Sequence, residues 1–315
     1  MTSPLVSIIT PAYNSAAYIA ETIASALAQT FTRFELIVAD DDSTDGTVDV
    51  VHRAAAADPR VVVTATPHGG AATARNTALQ ESRGRFIALL DSDDVWMPEY
   101  LAEQLEIAKS CPAGGVVTAN AISRGGDLDG RPIWRATTGL RTLALHDLIV
   151  EDNAVCIMSL FRRKAFERVG GFDPEFNGNE DYEFWLRVAN AGFGIVQNLR
   201  PLGYYRRRPG SVSSDEVRTL LGIIHVLESV ATWTGPLERE RDVIAYKLAR
   251  LQDDLASARL RASLSRRDAR DAALRLKDLS ELRGSVCLAL AAKLTQAWPQ
   301  LLLHVDGLRR SLRAL

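Results

Sequence analysis

Phe86-Ile87-Ala88-Leu89-Leu90-Asp91-Ser92-Asp93-Asp94-Val95-Trp96 is an apolar run that ends in three carboxylates within four residues. The run is short, follows the turn-like Ser82-Arg83-Gly84-Arg85, and precedes Pro98 at the head of a helical pattern, so it reads as a buried strand. Strand ends in α/β sheets are where ligands bind. Asp91, Asp93 and Asp94 repel one another as anions, and such a cluster is tolerable only where a cation or solvent neutralises it. Hard oxygen ligands in so small a number suit Mg2+ or Mn2+ that also holds substrate phosphates. Asp-Ser-Asp-Asp is equally good turn and helix-capping chemistry without a metal, and the rest of the chain has to decide between the two.

Upstream, Leu5 to Thr10 reads as a first buried strand with Pro11 after it, and Tyr13-Asn14-Ser15 as the turn into a helix from about Ala16 to Leu27. Phe34 to Ala39 forms a second strand, which runs into another acidic cluster, Asp40-Asp41-Asp42-Ser43-Thr44-Asp45-Gly46. A helix over 47–57, a strand over 60–65 and a helix from Gly70 to Leu79 then lead to the Phe86 strand. This alternation predicts an α/β fold: a mostly parallel sheet flanked by helices, with both acidic strand ends on one edge.

Beyond it the pattern gives a helix over 98–110, a strand over 116–119, a Gly-rich loop from Ser123 to Gly130 and a helical turn over 145–150. A strand over 156–162 and a short helix over 164–169 precede Asn179-Glu180-Asp181-Tyr182, where Asp181 reads as the cap of an amphipathic helix reaching Ala191 with Phe184, Trp185 and Val188 inward. A last strand follows Gly194 and ends in Tyr204-Tyr205-Arg206-Arg207-Arg208-Pro209-Gly210-Ser211. After that only helical patterns remain, over 215–232, 237–282 and 285–312, which predicts one domain over 1–212 and a helical region over 213–315.

The bulk numbers suit a globular chain: 315 residues, 47% of them hydrophobic, with a formal net charge of −2. Residues 241–315 hold 15 Lys or Arg against 8 Asp or Glu, a balance of +7 that leaves −9 for the rest. Cys111, Cys156 and Cys287 lie far apart without metal or redox spacing and read as reduced packing residues of a cytoplasmic protein. The amino terminus enters a strand without a signal-like segment, and no apolar stretch approaches the roughly 20 residues of a spanning helix. The five histidines lack zinc-ligand spacing. Neither a P-loop nor a dinucleotide fingerprint is present, and nothing points to nucleic acid.

What remains is an ordered set: Thr10-Pro11-Ala12-Tyr13-Asn14, the Asp41 cluster, Ala74-Arg75-Asn76, Asp91-Ser92-Asp93-Asp94 and Glu180-Asp181. In that order these motifs resemble the family 2 glycosyltransferases of the GT-A fold, over about residues 5 to 210. The resemblance implies inverting transfer of a sugar from a nucleotide-diphosphate donor, a UDP-sugar foremost, to an acceptor hydroxyl of a cell-surface polysaccharide or glycoconjugate. It implies that Thr10, Pro11, Ala12 and Tyr13 flank the donor base, that Asp41 accepts from the base edge, and that Arg75, Asp91 and Ser92 lie at the nucleotide. Asp93, with Asp91, would hold the Mn2+ or Mg2+ that bridges the donor diphosphate. Asp181 would be the catalytic base, with Glu180 orienting it or the acceptor. The family often has a His where this chain has Arg208, so Arg206 and Arg208 read as an anion clamp and the metal as having fewer protein ligands.

The basic tail, with Arg309, Arg310 and Arg313 beside Leu301 to Leu303, fits an anionic membrane surface presenting a lipid-linked acceptor, at the inner face of the cell membrane. It fits a homodimer through the C-terminal helices, or a solvated helix completing the core, equally well. Two other classes stand beside the transferase reading. A nucleotidyltransferase would carry a Gly- and Arg-rich loop after the first strand, where Pro11-Ala12-Tyr13-Asn14 stands instead, and a non-catalytic binding module would not need Asp41, Asp93 and Asp181 together.

Overall fold

A computed structural model describes residues 3–111, 114–208 and 215–297. Its first half is a βα repeat. Strands β1 (Val6–Ala12), β2 (Phe34–Asp40), β3 (Val61–Ala65) and β4 (Phe86–Leu89) alternate with helices α1 (Ile19–Leu27), α2 (Thr47–Ala57) and α3 (Gly70–Glu81). The four strands pair in parallel in the order β3-β2-β1-β4. The central strands are buried on both faces, as a parallel sheet covered by helices requires: all seven residues of β1 and of β2 are buried, while β3 at the edge is only partly so. Parallel pairing places Ala12 beside Asp40 and Ile9 beside Leu89, so the acidic segments after β2 and β4 emerge on one edge.

Pro11 lies inside β1, where a proline would ordinarily cost a ladder bond. It is tolerated because of where β4 stops. The Ile9 carbonyl accepts from the Leu90 N–H, and Pro11, two residues on, faces the same side past the end of β4.

The second half of the sheet is mixed. β8 (Ser159–Arg162) pairs antiparallel with both β4 and β6 (Gly114–Arg124), and β9 (Gly194–Arg206) runs parallel to β6. β9 also receives two short antiparallel strands, β5 (Val95–Trp96) and β7 (Leu140–Leu143), which complete a nine-stranded sheet. Neither is expected from sequence pattern, since a strand of two or four residues is too short to show a period. β6 extends to Arg124, into the stretch read as the start of a Gly-rich loop. Helices α4 (Tyr100–Ser110), α5 (Leu145–Val150) and α6 (Arg163–Val169) fall within two residues of their expected bounds.

Helix α7 (Glu180–Asn190) is fixed to this sheet by aromatic packing. Phe184 and Trp185 meet Phe161 of β8 at ring-centroid distances of 5.4 and 5.8 Å, and Phe184 meets Phe172 at 4.6 Å. Trp185 is therefore core, as is Tyr182, whose hydroxyl donates to the Leu148 carbonyl at 3.1 Å.

By its contacts the chain divides into Met1–Ser214 with Thr232–Glu240, and Asp215–Ala231 with Arg241–Leu315. The second unit contains α8 (Glu216–Val230), α9 (Arg241–Ser265), α10 (Ala269–Arg283) and α11 (Val286–Ala297). The single helix expected over 237–282 is two helices, because Arg267 takes a left-handed φ of 57° and the Asp268 side chain caps the Asp271 N–H at 3.0 Å. Leu260, Leu264, Ala272, Leu276, Leu279 and Ala292 form its core. No helix among the described residues is long and apolar enough to cross a membrane. Leu301 to Leu303, Arg309, Arg310 and Arg313 lie outside the described residues, as does the expected boundary near Gly210 to Ser214.

At the other end of the parallel strands, Ser7 donates to buried Glu35 at 2.6 Å, Arg83 closes on the same carboxylate at 2.5 and 2.9 Å, and the Gly84 N–H donates to Ser7 Oγ at 2.8 Å. A methyl group at Gly84 would stand 2.5 Å from the Ser7 backbone nitrogen. Gly84→Ala is expected to cost about 1–3 kcal/mol by overpacking. Its urea midpoint should fall with the slope of the transition unchanged, and an unaltered midpoint would count against this packing.

Candidate active site

The shared edge of β1, β2 and β4 carries Tyr13, Asp41 and the Asp91 to Asp94 turn. Asp41 is 3% exposed, and its two carboxylate oxygens accept the Gly69 and Gly70 N–H groups at 2.8 and 2.9 Å, which shapes the turn into α3. Gly70 sits at φ 83°, and a side chain there would collide with Asn177, so only glycine fits between α3 and the segment leading to α7. His68 lies 3.1 Å from an Asp41 carboxylate oxygen and tilts against exposed Tyr13 at 4.6 Å between ring centroids. The other acids of this cluster serve the turn: Asp40 accepts from the Ser43 N–H, and Asp45 from those of Ala16 and Thr47.

Arg75 joins the strand edge to α7. It is 3% exposed among Ala72, Ala74, Ala78 and Leu79, and its guanidinium donates from Nη2 to Asp91 Oδ1 at 2.7 Å and from Nη1 to Glu180 Oε1. Next to it, Asn76 both donates to the Phe172 carbonyl at 2.7 Å and accepts from the Phe172 N–H at 2.8 Å. Two adjacent residues of α3 thus hold the chain from Phe172 to Glu180 against the end of β4. Burial alone would weaken the Arg75 cation, but Asp91, Glu180 and Asp181 outweigh it and raise its pKa.

Asp181 is half-buried at the second position of α7, where a carboxylate meets the positive end of the helix. Asn179, not Asp181, occupies the cap position, because Glu180 already begins the helix to reach Arg75 and the Gly178 N–H. Burial and then the neighbouring Glu180 push the Asp181 carboxyl up to about 6, against the pull of Arg75 and of the Tyr182 N–H at 2.8 Å.

The Asp91 to Asp94 turn is closed from the far side by the end of β9. Arg208 Nε donates to Asp93 Oδ2 at 2.8 Å, Arg206 Nε to the Asp93 carbonyl at 2.8 Å, and the Arg206 N–H to Asp94 Oδ1 at 2.8 Å. Arg206 also pairs with Glu21 at 2.6 Å. Burial and then Asp91 raise the Asp93 pKa; burial, followed by Asp91 and Asp93, holds Asp94 well above the usual carboxylate range. Asp91 and Asp93 together suit a divalent ion that takes its remaining ligands from phosphate and water, since each gains from a nearby cation. Among the described residues no group of three or more His, Cys, Asp or Glu side chains is placed to hold a metal by itself.

Several side chains expected at the donor are spent on the protein. Thr10, Pro11 and Ala12 are buried, leaving Tyr13, 45% exposed, as the accessible member of that group. The Ser92 hydroxyl is buried 2.7 Å from Ser15 Oγ, and its carbonyl accepts from Thr22. Arg75 and Glu180 are enclosed, so they position neighbours instead of contacting ligand. Tyr18 escaped the sequence reading: the Arg206 and Arg208 guanidiniums stand 5.0 and 5.6 Å from its ring centroid, a pairing that no local motif signals. Arg75→Met would strand Glu180 as an unpaired buried charge, with an expected cost of about 3–5 kcal/mol. Thermal unfolding of Arg75→Met beside Arg75→Met/Glu180→Gln tests this, since the second change should recover part of the loss; no recovery would refute the pairing.

The sequence profile described as Glycosyl transferase family 2 matches residues 7–170. The chain is 34% identical over 215 residues to TuaG of Bacillus subtilis (strain 168), a protein named for teichuronic acid biosynthesis, across 68% of this chain and 83% of the relative. It is 30% identical over 227 residues to WfaP of Escherichia coli, named as a UDP-Glc:alpha-D-GlcNAc-diphosphoundecaprenol beta-1,3-glucosyltransferase, across 72% of this chain and 86% of that one. The fold is similar to that of S. aureus TarS crystallised with UDP-GlcNAc (TM-score 0.64, 19% identity, 97% of this chain and 92% of that one). It is also similar to the mannosyltransferase PcManGT of Pyrobaculum calidifontis crystallised with GDP-Man and Mn2+ (TM-score 0.61, 21% identity, 95% and 88%). With its ordered motifs gathered on one sheet edge and these likenesses along most of its length, the chain belongs to the family 2 glycosyltransferases.

Proposed function

We propose that this glycosyltransferase moves a sugar, with inversion, from a UDP-sugar to a hydroxyl of a lipid-linked glycan acceptor in cell-surface polysaccharide synthesis. The observation that carries the reading is the Arg75 bridge, which brings Asp181 to the same edge as Asp91 although 90 residues separate them in sequence. The TarS complex with UDP-GlcNAc supports the donor class, and the name of WfaP supports an acceptor carried on a polyprenyl diphosphate. Such an acceptor favours a cytoplasmic enzyme working against the inner face of the membrane.

In this mechanism Tyr13 and His68 flank the donor base, and Asp41 sets the turn beside it while its remaining lone pairs meet the base edge. Asp91 and Asp93 hold Mn2+ or Mg2+, which when bound offsets charge on the leaving diphosphate. Asp181 takes the proton of the acceptor hydroxyl as that oxygen attacks the anomeric carbon and the bond to the diphosphate breaks. One displacement inverts the centre. Glu180 keeps Arg75 in place, and Arg75 keeps Asp181 ionisable at working pH by opposing its burial. Its position at a helix N-terminus favours the anionic form that a base requires.

Because Asp181 acts only when ionised, and its carboxyl titrates at about 6, transfer should fall about tenfold per unit as pH drops below that value. A panel of UDP-sugars and a polyprenyl-diphosphate glycan, assayed with Mn2+ across pH, measures it. Asp181→Asn should keep UDP binding and lose about 10²–10⁴-fold in transfer. Transfer at the wild-type rate in Asp181→Asn would remove Asp181 from the chemistry.

A further inference from the structure

The rim of the donor site already contains a cation on the carboxylate that the divalent ion would use. Arg208 donates Nε–H to Asp93 Oδ2 at 2.8 Å, and its guanidinium rests over the Tyr18 ring at 5.6 Å. Arg206 shares that ring but is anchored elsewhere, by Glu21 at 2.6 Å and the Asp93 carbonyl at 2.8 Å, and its side chain is only 18% exposed. Arg208 is looser: its side chain is 34% exposed, and among the described residues Asp93 is its carboxylate partner. Among the described residues the Arg206 guanidinium is tied to both Glu21 and the Asp93 carbonyl, and that of Arg208 to the Asp93 carboxylate.

Charge decides what exchange is possible. Asp91 is held by Arg75, whose side chain is only 4% exposed, whereas Asp93 is held by the more exposed Arg208, so of the two carboxylates Asp93 has the more exchangeable partner. A divalent ion on Asp93 would stand against the Arg208 guanidinium, and two cations on one carboxylate repel strongly at such range. Mg2+ and Mn2+ bind with few carboxylates only when phosphate completes their ligands. A diphosphate supplies the missing negative charge, and its oxygens match the planar fork of an arginine.

We propose that Arg208 is a built-in counter-ion of Asp93, which the divalent cation displaces only when a nucleoside diphosphate arrives to accept the guanidinium. This rests on the donor-site reading above. Metal and nucleotide then bind with positive coupling, each tightening the other by the same factor. Arg208 is in this scheme a positioning and specificity residue toward the donor diphosphate, and it sets the order in which the site fills.

The test is Mn2+ affinity of the full chain, followed by the electron paramagnetic resonance of free Mn2+, with and without saturating UDP. Wild type should bind Mn2+ weakly alone and at least about tenfold more tightly with UDP. Arg208→Gln should bind Mn2+ alone about tenfold more tightly than wild type, with the UDP enhancement reduced. Arg208→Lys keeps the charge and should stay near wild type for Mn2+ alone, which also covers the case in which Arg208→Gln fails to fold. UDP affinity measured calorimetrically in chelator should drop in Arg208→Gln. Equal Mn2+ affinities of wild type and Arg208→Gln without UDP, with UDP binding intact, overturn this proposal alone. No UDP binding in either protein, with or without Mn2+, overturns the donor-site reading and this proposal together.

Discussion

A buried guanidinium organises the reactive edge of this enzyme. Arg75 lies on the inner face of α3 beside alanines small enough to let that helix sit close to the sheet, and it ends on Asp91 and Glu180. Taking three charges out of water costs about as much as their attraction returns, so the bridge is poor evidence for stability. What it secures is register. The turn after β4 and the first residue of α7 cannot drift apart without leaving a charge unpaired in the interior, and the Asn76 clasp on Phe172 enforces the same separation through neutral hydrogen bonds.

The remaining acids of this edge persist because each is answered in its own way. Backbone N–H groups meet Asp41 at the turn into α3, Arg208 meets Asp93, and the Arg206 N–H meets Asp94, which is also held toward its neutral form by burial. Asp181 draws on a helix N-terminus and on Arg75, yet burial leaves its carboxyl near 6. Burial raises the Asp93, Asp94 and Asp181 carboxyls alike, and what differs among them is the partner that opposes it: Arg208 for Asp93, the Arg206 N–H for Asp94 and Arg75 for Asp181.

The parallel half of the sheet was legible in the chain because local signals agree there. Apolar runs of four to seven residues alternate with helical periods, acidic turns close two of the strands, and α2 spans the residues that its pattern indicates. Asp41, Asp91, Asp93 and Asp181 were marked as a set by their order. The split between α9 and α10 was less visible, because a single left-handed Arg267 interrupts an otherwise continuous helical pattern. β5 and β7 were invisible for a simpler reason: segments this short become strands only because β9 offers them an edge.

By itself, then, the sequence determined the alternating elements of the first half, their parallel sense and the identity of the acidic side chains, since these follow from periodicity and turn chemistry within a few residues. Only the tertiary structure decided which polar groups face a ligand and which are consumed by the fold. Arg75, Glu180 and Ser92 carry the same chemistry as neighbours that stay accessible, but their partners lie 105, 105 and 77 residues away. Whether a charge is available for chemistry depends on whether another charge already holds it, and that pairing is made by packing across the sheet, beyond the reach of any local pattern.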